Sequence, residues 1–456
     1  MSFPPISTPR YFTRFRCIGA ACEDHCCAGW GGIDVDPPTA EAYRQLRVDG
    51  DPRAVQLNLV GNIKPNPEAW PDEGWPAALI PLEPGKPCPF LNVERLCQIQ
   101  ETFGEELLSS TCDTFPRQAT VLDGQMLLVG RMSCPEVARL ALLADDAMVL
   151  EPTTPDRRLT ERGHFWVDEP WNDEPDQGDP RRQYHRVREH SAALLQRRDH
   201  SFAARMLAVG LALSALDGAG FGASDVDATF EQTAQRLPSV EAWLSESGLL
   251  APNNPPAPPA PTGSAAAPGA RHGASAAVPA TGDCPTGPHR LLVRRVRRWL
   301  IMPTLPPRYR RCLERIRDGL GLPADAATPL DGAVGARVAE AYAAAKRAHL
   351  APFLAQRPYF FENLVLNHIW LGTFPYHPER SFAEEHALMA FRVGLIRLHL
   401  VGAAAAEGAL TEELAVETVQ AFEKYADSHE FWEHTTKLLR DERALDPGSL
   451  AALLLA

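Results

Sequence analysis

The chain has 456 residues, 45% hydrophobic and 23% charged, with a formal net charge of −13. At roughly 150 residues per domain, that length supports about three folded units and excludes a fibrous or wholly disordered chain. The acidic surplus excludes a protein that coats nucleic acid, because phosphate binding draws on surplus Lys and Arg. The opening residues lack signal-peptide character, and no window reads as a membrane span of ~18 apolar residues. A cytoplasmic protein without nucleic-acid or membrane partners is therefore expected.

Residues 1–150 mix Gly, Pro and Cys with short apolar runs, the pattern of a loop-rich, metal-stapled domain with small β elements. Within them Glu101 to Ser110 has mixed helical character, and Val121 to Val129 reads as a hairpin turning at Asp123-Gly124. From Pro135 to Ala144 the chain starts with Pro and Glu and continues with helix formers, which puts Cys134 at a helix N-terminus.

Residues 151–250 turn helical, with Tyr184 to Arg198, Ser201 to Leu216 and Val240 to Ser247 as the candidates. Residues 251–288 are dominated by Ala, Pro, Gly and Ser without apolar periodicity, and read as a flexible linker or insertion.

A helical C-terminal domain is expected over residues 289–456. It opens on ten arginines between Arg290 and Arg317, where Leu291, Leu292, Val296 and Leu300 form the apolar side of an amphipathic helix and the arginines its solvated face. Helices follow at Ala336 to Leu354, Tyr359 to Leu371, Phe382 to Ala406 and Thr411 to Arg440, the last of them open to breaks, and Pro375 and Pro378 interrupt the series. The fold class is thus mostly α: a cysteine-stapled N-terminal domain followed by a helical body.

The chemistry concentrates in eight of the ten cysteines: Cys17, Cys22, Cys26, Cys27, Cys88, Cys97, Cys112 and Cys134. A reducing compartment disfavours disulfides and favours metal binding, and thiolates suit zinc or an iron-sulfur cluster. The chain has no paired C-x2-C knuckle, which lowers the zinc reading. The steps Cys88-Pro89 and Cys134-Pro135 are of a kind seen at iron-sulfur ligands. These cues favour an iron-sulfur cluster, but the cysteine count alone does not choose between it and zinc.

Neighbours such as Cys26 and Cys27 rarely converge on one metal. Eight thiols therefore overfill one four-ligand site, leaving open two centres or one centre with structural thiols. Asp24 and His25 read as loop residues, and Cys284 and Cys312 as unligated thiols. A radical S-adenosylmethionine loop would need a third cysteine at Gly29. Asp217 to Gly222 imitates a nucleotide-binding glycine turn, but it follows a helix and reads as a helix end with a glycine loop. No Walker A, H-E-x-x-H or G-x-S-x-G element is present.

The stretch RYFTRFRCIGAACEDHCCAGW (Arg10 to Trp30) closely resembles the opening of the flagellin lysine-N-methylase (FliB) family. CPFLNVERLCQIQETFGEELLSSTCDTFPR (Cys88 to Arg117) and MSCPEVARL (Met132 to Leu140) are similar to its second and third cysteine blocks, and also to zinc- or iron-chelating cysteine domains more broadly. RPYFFENLVLNHIWLGTFP (Arg357 to Pro375), Phe391 to Gly402 and the stretch to Glu430 resemble its helical region. Asp113 departs from the pattern, which leads one to expect a basic residue there.

The resemblance implies methyl transfer from S-adenosylmethionine to lysine amines of flagellin by an enzyme that carries an iron-sulfur cluster, expected to be of the 4Fe-4S type. Candidates for the remaining site are Trp30, Asp34 and Asp36, as an aromatic wall and carboxylates guiding a lysine, and His429 with Glu430 as an acid-base pair. Arg117, Glu136 and Arg139, beside cysteines, are candidates for holding the cofactor. The rival readings are a non-catalytic metal or iron-sulfur module that binds a protein partner, and an iron-sulfur redox protein.

Overall fold

The Asp123-Gly124 turn lies at the centre of the main sheet. Both residues have positive φ (50° and 68°), as the tightest hairpin turns demand, and they join β5 (Arg117–Leu122) to β6 (Gln125–Gly130). The sheet has the order β7-β1-β6-β5-β8, with β1 (Ile6–Pro9) parallel to β6, β7 (Leu150–Thr153) antiparallel to β1, and β8 (Trp166–Val167) parallel to β5. A smaller antiparallel sheet orders β2 (Gly32–Val35), β4 (Ala78–Pro81) and β3 (Lys64–Pro65).

The structure is a computed structural model that describes residues 5–27, 32–66, 78–83, 86–158, 166–167, 180–217, 222–247, 288–303, 305–325, 328–330, 332–427, 429–445 and 447–455. The linker read over residues 251–288 falls almost wholly outside these, as do Trp30 and Cys284.

The longer helices, eight residues or more, begin with α1 (Pro37–Val48) and α2 (Pro135–Leu142) and continue with α3 (Tyr184–Leu195), α4 (Phe202–Leu216) and α5 (Ala223–Glu246). Next come α6 (Pro288–Leu300), α7 (Pro307–Leu320), α8 (Gly332–Ala345) and α9 (Phe360–Leu371). The last four are α10 (Phe382–Glu407), α11 (Glu412–Ala426), α12 (His429–Asp441) and α13 (Pro447–Leu455). The mostly helical class expected from the sequence is what the chain adopts.

Two elements depart from the sequence pattern. Helix α5 runs 24 residues where periodicity marks only Val240 to Ser247. Its buried positions Val226, Phe230, Thr233, Leu237 and Leu244 keep helical spacing across Pro238, but polar residues dilute the stripe. The segment Glu101 to Ser110 is split by Gly104 (φ 85°), which separates helix Gln98–Phe103 from a single turn at Glu105–Leu107.

Helix α10 organises the body. Ser381 and Glu384 form a capping box at its start, and both Asp217 carboxylate oxygens accept from the N–H groups of Phe382 and Ala383 at 2.8 Å. Asp217 follows α4 and Gly222 precedes α5, so the glycine-rich segment stands between two helices rather than between a strand and a helix; residues 218–221 lie outside the described ones. Contrary to the hydropathy reading, α10 is long and apolar enough to cross a bilayer, and 89% of its most apolar window is buried. Helices α4, α7, α8, α11 and α13 cover it on all sides, which is why it is apolar all round.

The apolar residues form two cores. The main one joins Tyr11, Phe12, the β5–β6 hairpin and α2 to the helical body. The second is small and spans Ile33 to Leu108, around Tyr43, Leu59, Ile80 and Phe90. Leu291, Leu292 and Val296 are buried as the amphipathic reading expects, but the arginines are not all solvated: Arg297 is buried and donates to the Asp325 and Thr328 carbonyls, and Arg295 lies 5.2 Å from the Trp299 ring centroid.

Candidate functional site

The second core is where thiols gather. Cys88 is buried in it, and Cys27, Cys97 and Cys112 pack half-buried against it. The Cys88 N–H donates to the Cys27 carbonyl at 2.7 Å, which ties the first cysteine block to the second. Cys97 precedes helix Gln98–Phe103 and bridges Leu91. Cys112 sits in helix Ser110–Thr114, where its N–H donates to the Ser109 hydroxyl at 3.3 Å. Cys134 caps α2 as expected and packs on the main core, while Cys17 and Cys26 are exposed.

The thiols sense one another. Burial pushes Cys88 up to about 11 and Cys134 up to about 12, and it raises Cys22, Cys97 and Cys112 as well; the charge of Cys26 adds to the rise in all five. The hydrogen bond between Cys26 and Cys27, with sulfurs 4.0 Å apart, pulls Cys26 down to about 7 and pushes Cys27 up. Lys424 adds to the fall at Cys26.

Clustered soft thiols whose ionised forms repel one another are a donor set that a cation would satisfy, so their chemistry fits a thiolate-bound metal or iron-sulfur cluster. Among the described residues, however, no three His, Cys, Asp or Glu side chains stand in a metal-holding arrangement. The metal-stapled domain expected from the spacing is therefore not seen as a formed centre. The thiols come from separate turns and helix ends and share a neighbourhood rather than a common point.

The loop from Cys22 to Cys27 is clamped from several sides. Arg95 donates to the Cys22 carbonyl at 2.9 Å and Arg308 to the Glu23 carbonyl at 3.2 Å, while Arg139 pairs with both Glu23 and Glu136. Helix α11 supplies the deepest contacts. Gln420 donates to Asp24 at 2.7 Å and to the Ser133 carbonyl at 2.9 Å. Lys424, one turn on, donates to Asp24 at 3.1 Å and to the His25 carbonyl at 2.9 Å. Asp24 is thus committed to the clamp, and the His25 imidazole is held below its ordinary value mainly by burial.

The neighbouring face of α11 borders a half-open cleft of about 170 Å³. Its polar lining is Arg131, Ser133, His368, Arg392, Glu423 and Asp427; Met132, Leu371, Ala426 and Trp432 complete it. At its floor Arg392 donates to Glu423 at 2.8 Å, His368 lies 3.1 Å from the same carboxylate, and the guanidinium stacks 4.0 Å from the Trp432 ring centroid. At its mouth Arg131 donates to Asp427 at 2.6 Å, with the Ser133 hydroxyl 3.4 Å from the other carboxylate oxygen. Burial pushes Asp427 up. At Glu423 burial acts the same way, but Arg392 and His368 outweigh it and hold the group low. Burial, with Arg392, holds His368 below its ordinary value.

The residues singled out from the sequence fall in different places. Arg139 and Glu136 meet the first cysteine loop. Arg117 lies instead 3.8 Å from Asp156, its guanidinium over the Phe15 ring. Asp36 caps α1 and accepts from the Ser110 N–H at 2.7 Å, while Asp34 accepts from Asn66 at 3.1 Å. Trp30 and the side chains of His429 and Glu430 lie outside the described residues. Asp113, the departure from the family pattern, is fully buried against Arg157 and Arg158.

Sequence reasoning missed the clamp and the cleft. The available signal was on and just after α11, where Gln420 and Lys424, and Glu423 and Asp427, each recur at a spacing of four residues.

The family model described as the FliB lysine N-methylase C-terminal domain matches residues 290–453. That span supplies Gln420 and Lys424 of the clamp and His368, Arg392, Glu423, Asp427 and Trp432 of the cleft. The lysine-N-methylase of Salmonella typhimurium (strain LT2) is 36% identical over 149 residues, 33% of this chain and 35% of that protein. That of Salmonella choleraesuis (strain SC-B67) is 35% identical over the same shares. The match thus spans about a third of each lysine-N-methylase. The flagellar biosynthetic protein FliU of Salmonella muenchen is 35% identical over 145 residues, 32% of this chain and 81% of that protein. No solved structure matches. With 81% of FliU matched at 35% identity and residues 290–453 of this chain recognised by the family model, the chain belongs to the FliB lysine N-methylase family.

Proposed function

We propose that the protein is an S-adenosylmethionine-dependent lysine N-methyltransferase that acts on flagellin in the cytoplasm, with an iron-sulfur cluster held by its thiols. The relatives' names supply the lysine and the flagellar context. The observation that carries the reading is the double duty of α11. One helix of the family-matched domain holds the thiol loop through Gln420 and Lys424, and lines a polar cleft through Glu423, with Asp427 directly after its end.

A neutral lysine amine is already a competent nucleophile toward a sulfonium methyl group. The protein then has to remove a proton, align nitrogen, carbon and sulfur, and exclude water. Cys27, Cys88, Cys97 and Cys112 are the residues we assign to the cluster, because they share one core. When bound, the cluster supplies a cross-link that couples metal loading to folding of that core.

Anaerobically purified protein incubated with methyl-labelled S-adenosylmethionine and flagellin is expected to place label on flagellin lysines; unlabelled flagellin would sink the assignment. Iron and acid-labile sulfide are expected in the same preparation, and zinc without sulfide would replace the cluster with a zinc site.

A further inference from the structure

We infer that the cleft between Arg131 and Trp432 receives the methyl-accepting lysine side chain, with its nitrogen held between Glu423 and Asp427 and its proton passed to Asp427. The inference rests on the methyl-transfer reading above and assigns a substrate site within it.

Size is the first argument. About 170 Å³ suits one aliphatic amine, whereas pockets that take a whole cofactor usually enclose about 300 Å³ or more. Shape is the second. Met132, Leu371 and Trp432 offer apolar surface for a four-carbon stem, and both carboxylates line the same cleft, Glu423 from the last turn of α11 and Asp427 from the residue that follows the helix.

Charge decides the chemistry. Four charged groups line the cleft: Arg131 and Arg392 against Glu423 and Asp427, with His368 beside Glu423. The two guanidiniums balance the two carboxylates. An entering ammonium therefore finds hydrogen-bond acceptors without a net negative field that would trap its proton. Asp427 suits the acceptor role by position. Its side chain is 37% exposed against 7% for Glu423, and among the described residues one of its oxygens is approached by the Ser133 hydroxyl at 3.4 Å.

The step balances as follows. The lysine ammonium gives a proton to the Asp427 carboxylate, and water takes it up at the mouth of the cleft. The freed nitrogen lone pair forms the N–C bond to the sulfonium methyl as the C–S bond breaks, and that bonding pair leaves with sulfur as a neutral thioether. The product is a methylated ammonium.

The test is equilibrium binding to the full chain as purified, with Nα-acetyl-lysine methylamide and its norleucine counterpart as probes. The lysine probe is expected to bind better than the norleucine probe. Glu423→Gln and Asp427→Asn are each expected to weaken lysine binding about ten-fold or more, and to leave S-adenosylmethionine binding unchanged. Equal binding of the two probes by the wild-type chain overturns the inference without needing any variant to fold. Lysine affinity unchanged in both folded variants overturns it too, as does loss of S-adenosylmethionine binding in their place. A wild-type chain that binds the lysine probe but labels no flagellin sinks the functional reading and leaves the site. Normal labelling by both variants sinks the site and leaves the function.

Discussion

The two cores reach order by different routes. The main core buries α10 on all sides and joins the five-stranded sheet to the helical body. The second holds only twelve buried residues among those described, one of them Cys88, around strands of two to four residues. A core that small supplies little hydrophobic stabilisation, and natural chains of that kind add a cross-link. Thiols collect where apolar burial runs short: Cys27, Cys97 and Cys112 all lie against the second core. Cys312, embedded in α7 within the main core, is an ordinary buried thiol.

Stripping metal from the purified protein is the harshest way to separate the two. If the thiols hold a cluster, its removal withdraws an interaction worth on the order of 10 kcal/mol in structural thiolate sites. Hydrogen exchange is expected to lose protection across residues 32–112 while α10 keeps its own. Protection lost in both regions together, or in neither, would break the comparison.

The converse change strikes the main core alone. The Glu362 side chain is fully buried, 2.6 Å from Arg205 and 2.8 Å from Arg198, and the Arg205 side chain is 3% exposed. Glu362→Ala leaves Arg205 buried without its partner, and such losses cost about 3–5 kcal/mol. Urea denaturation is expected to show that loss in the helical body with the second core's exchange unchanged. A cost under about 1 kcal/mol would mean that water reaches the pair.

The same contrast explains what could be read in advance. The hairpin at Asp123-Gly124, the Cys134 cap and helices α3, α4, α9 and α10 are local patterns: a turn dipeptide, a Pro-Glu start, an apolar period. Pairing of β1 with β6 is not local, since it matches Ile6 to Met126 across the entire second core. The cysteines were conspicuous by type, but Gln420 and Lys424 reach Asp24 over some 400 positions, and nothing near either end announces the other. Cleft residues such as His368, Arg392 and Glu423 read singly as helix-surface charges. Only packing of α9, α10 and α11 makes them neighbours.

The smallest expected effect lies in the hinge of the second core. Both Asp36 oxygens are engaged: one accepts from the N–H and hydroxyl of Thr39 in α1, the other from the Ser110 N–H at 2.7 Å, in the helix that carries Cys112. Burial alone would raise this carboxyl, but the hydrogen bonds from Ser110 and Thr39 outweigh it and hold the group below its ordinary value. A depressed carboxyl stabilises fully above the unfolded-state value, near pH 4, and its contribution is lost as pH falls through the lower folded value. Asp36→Ala is therefore expected to cost the second core about 1 kcal/mol near neutrality, the worth of a good cap, and progressively less in acid. Denaturation of the two proteins at pH 6 and pH 3, followed by exchange in residues 32–112, checks the sign. A gap of equal size at both pH values would mean that Asp36 holds α1 to the Cys112 helix by shape rather than by charge.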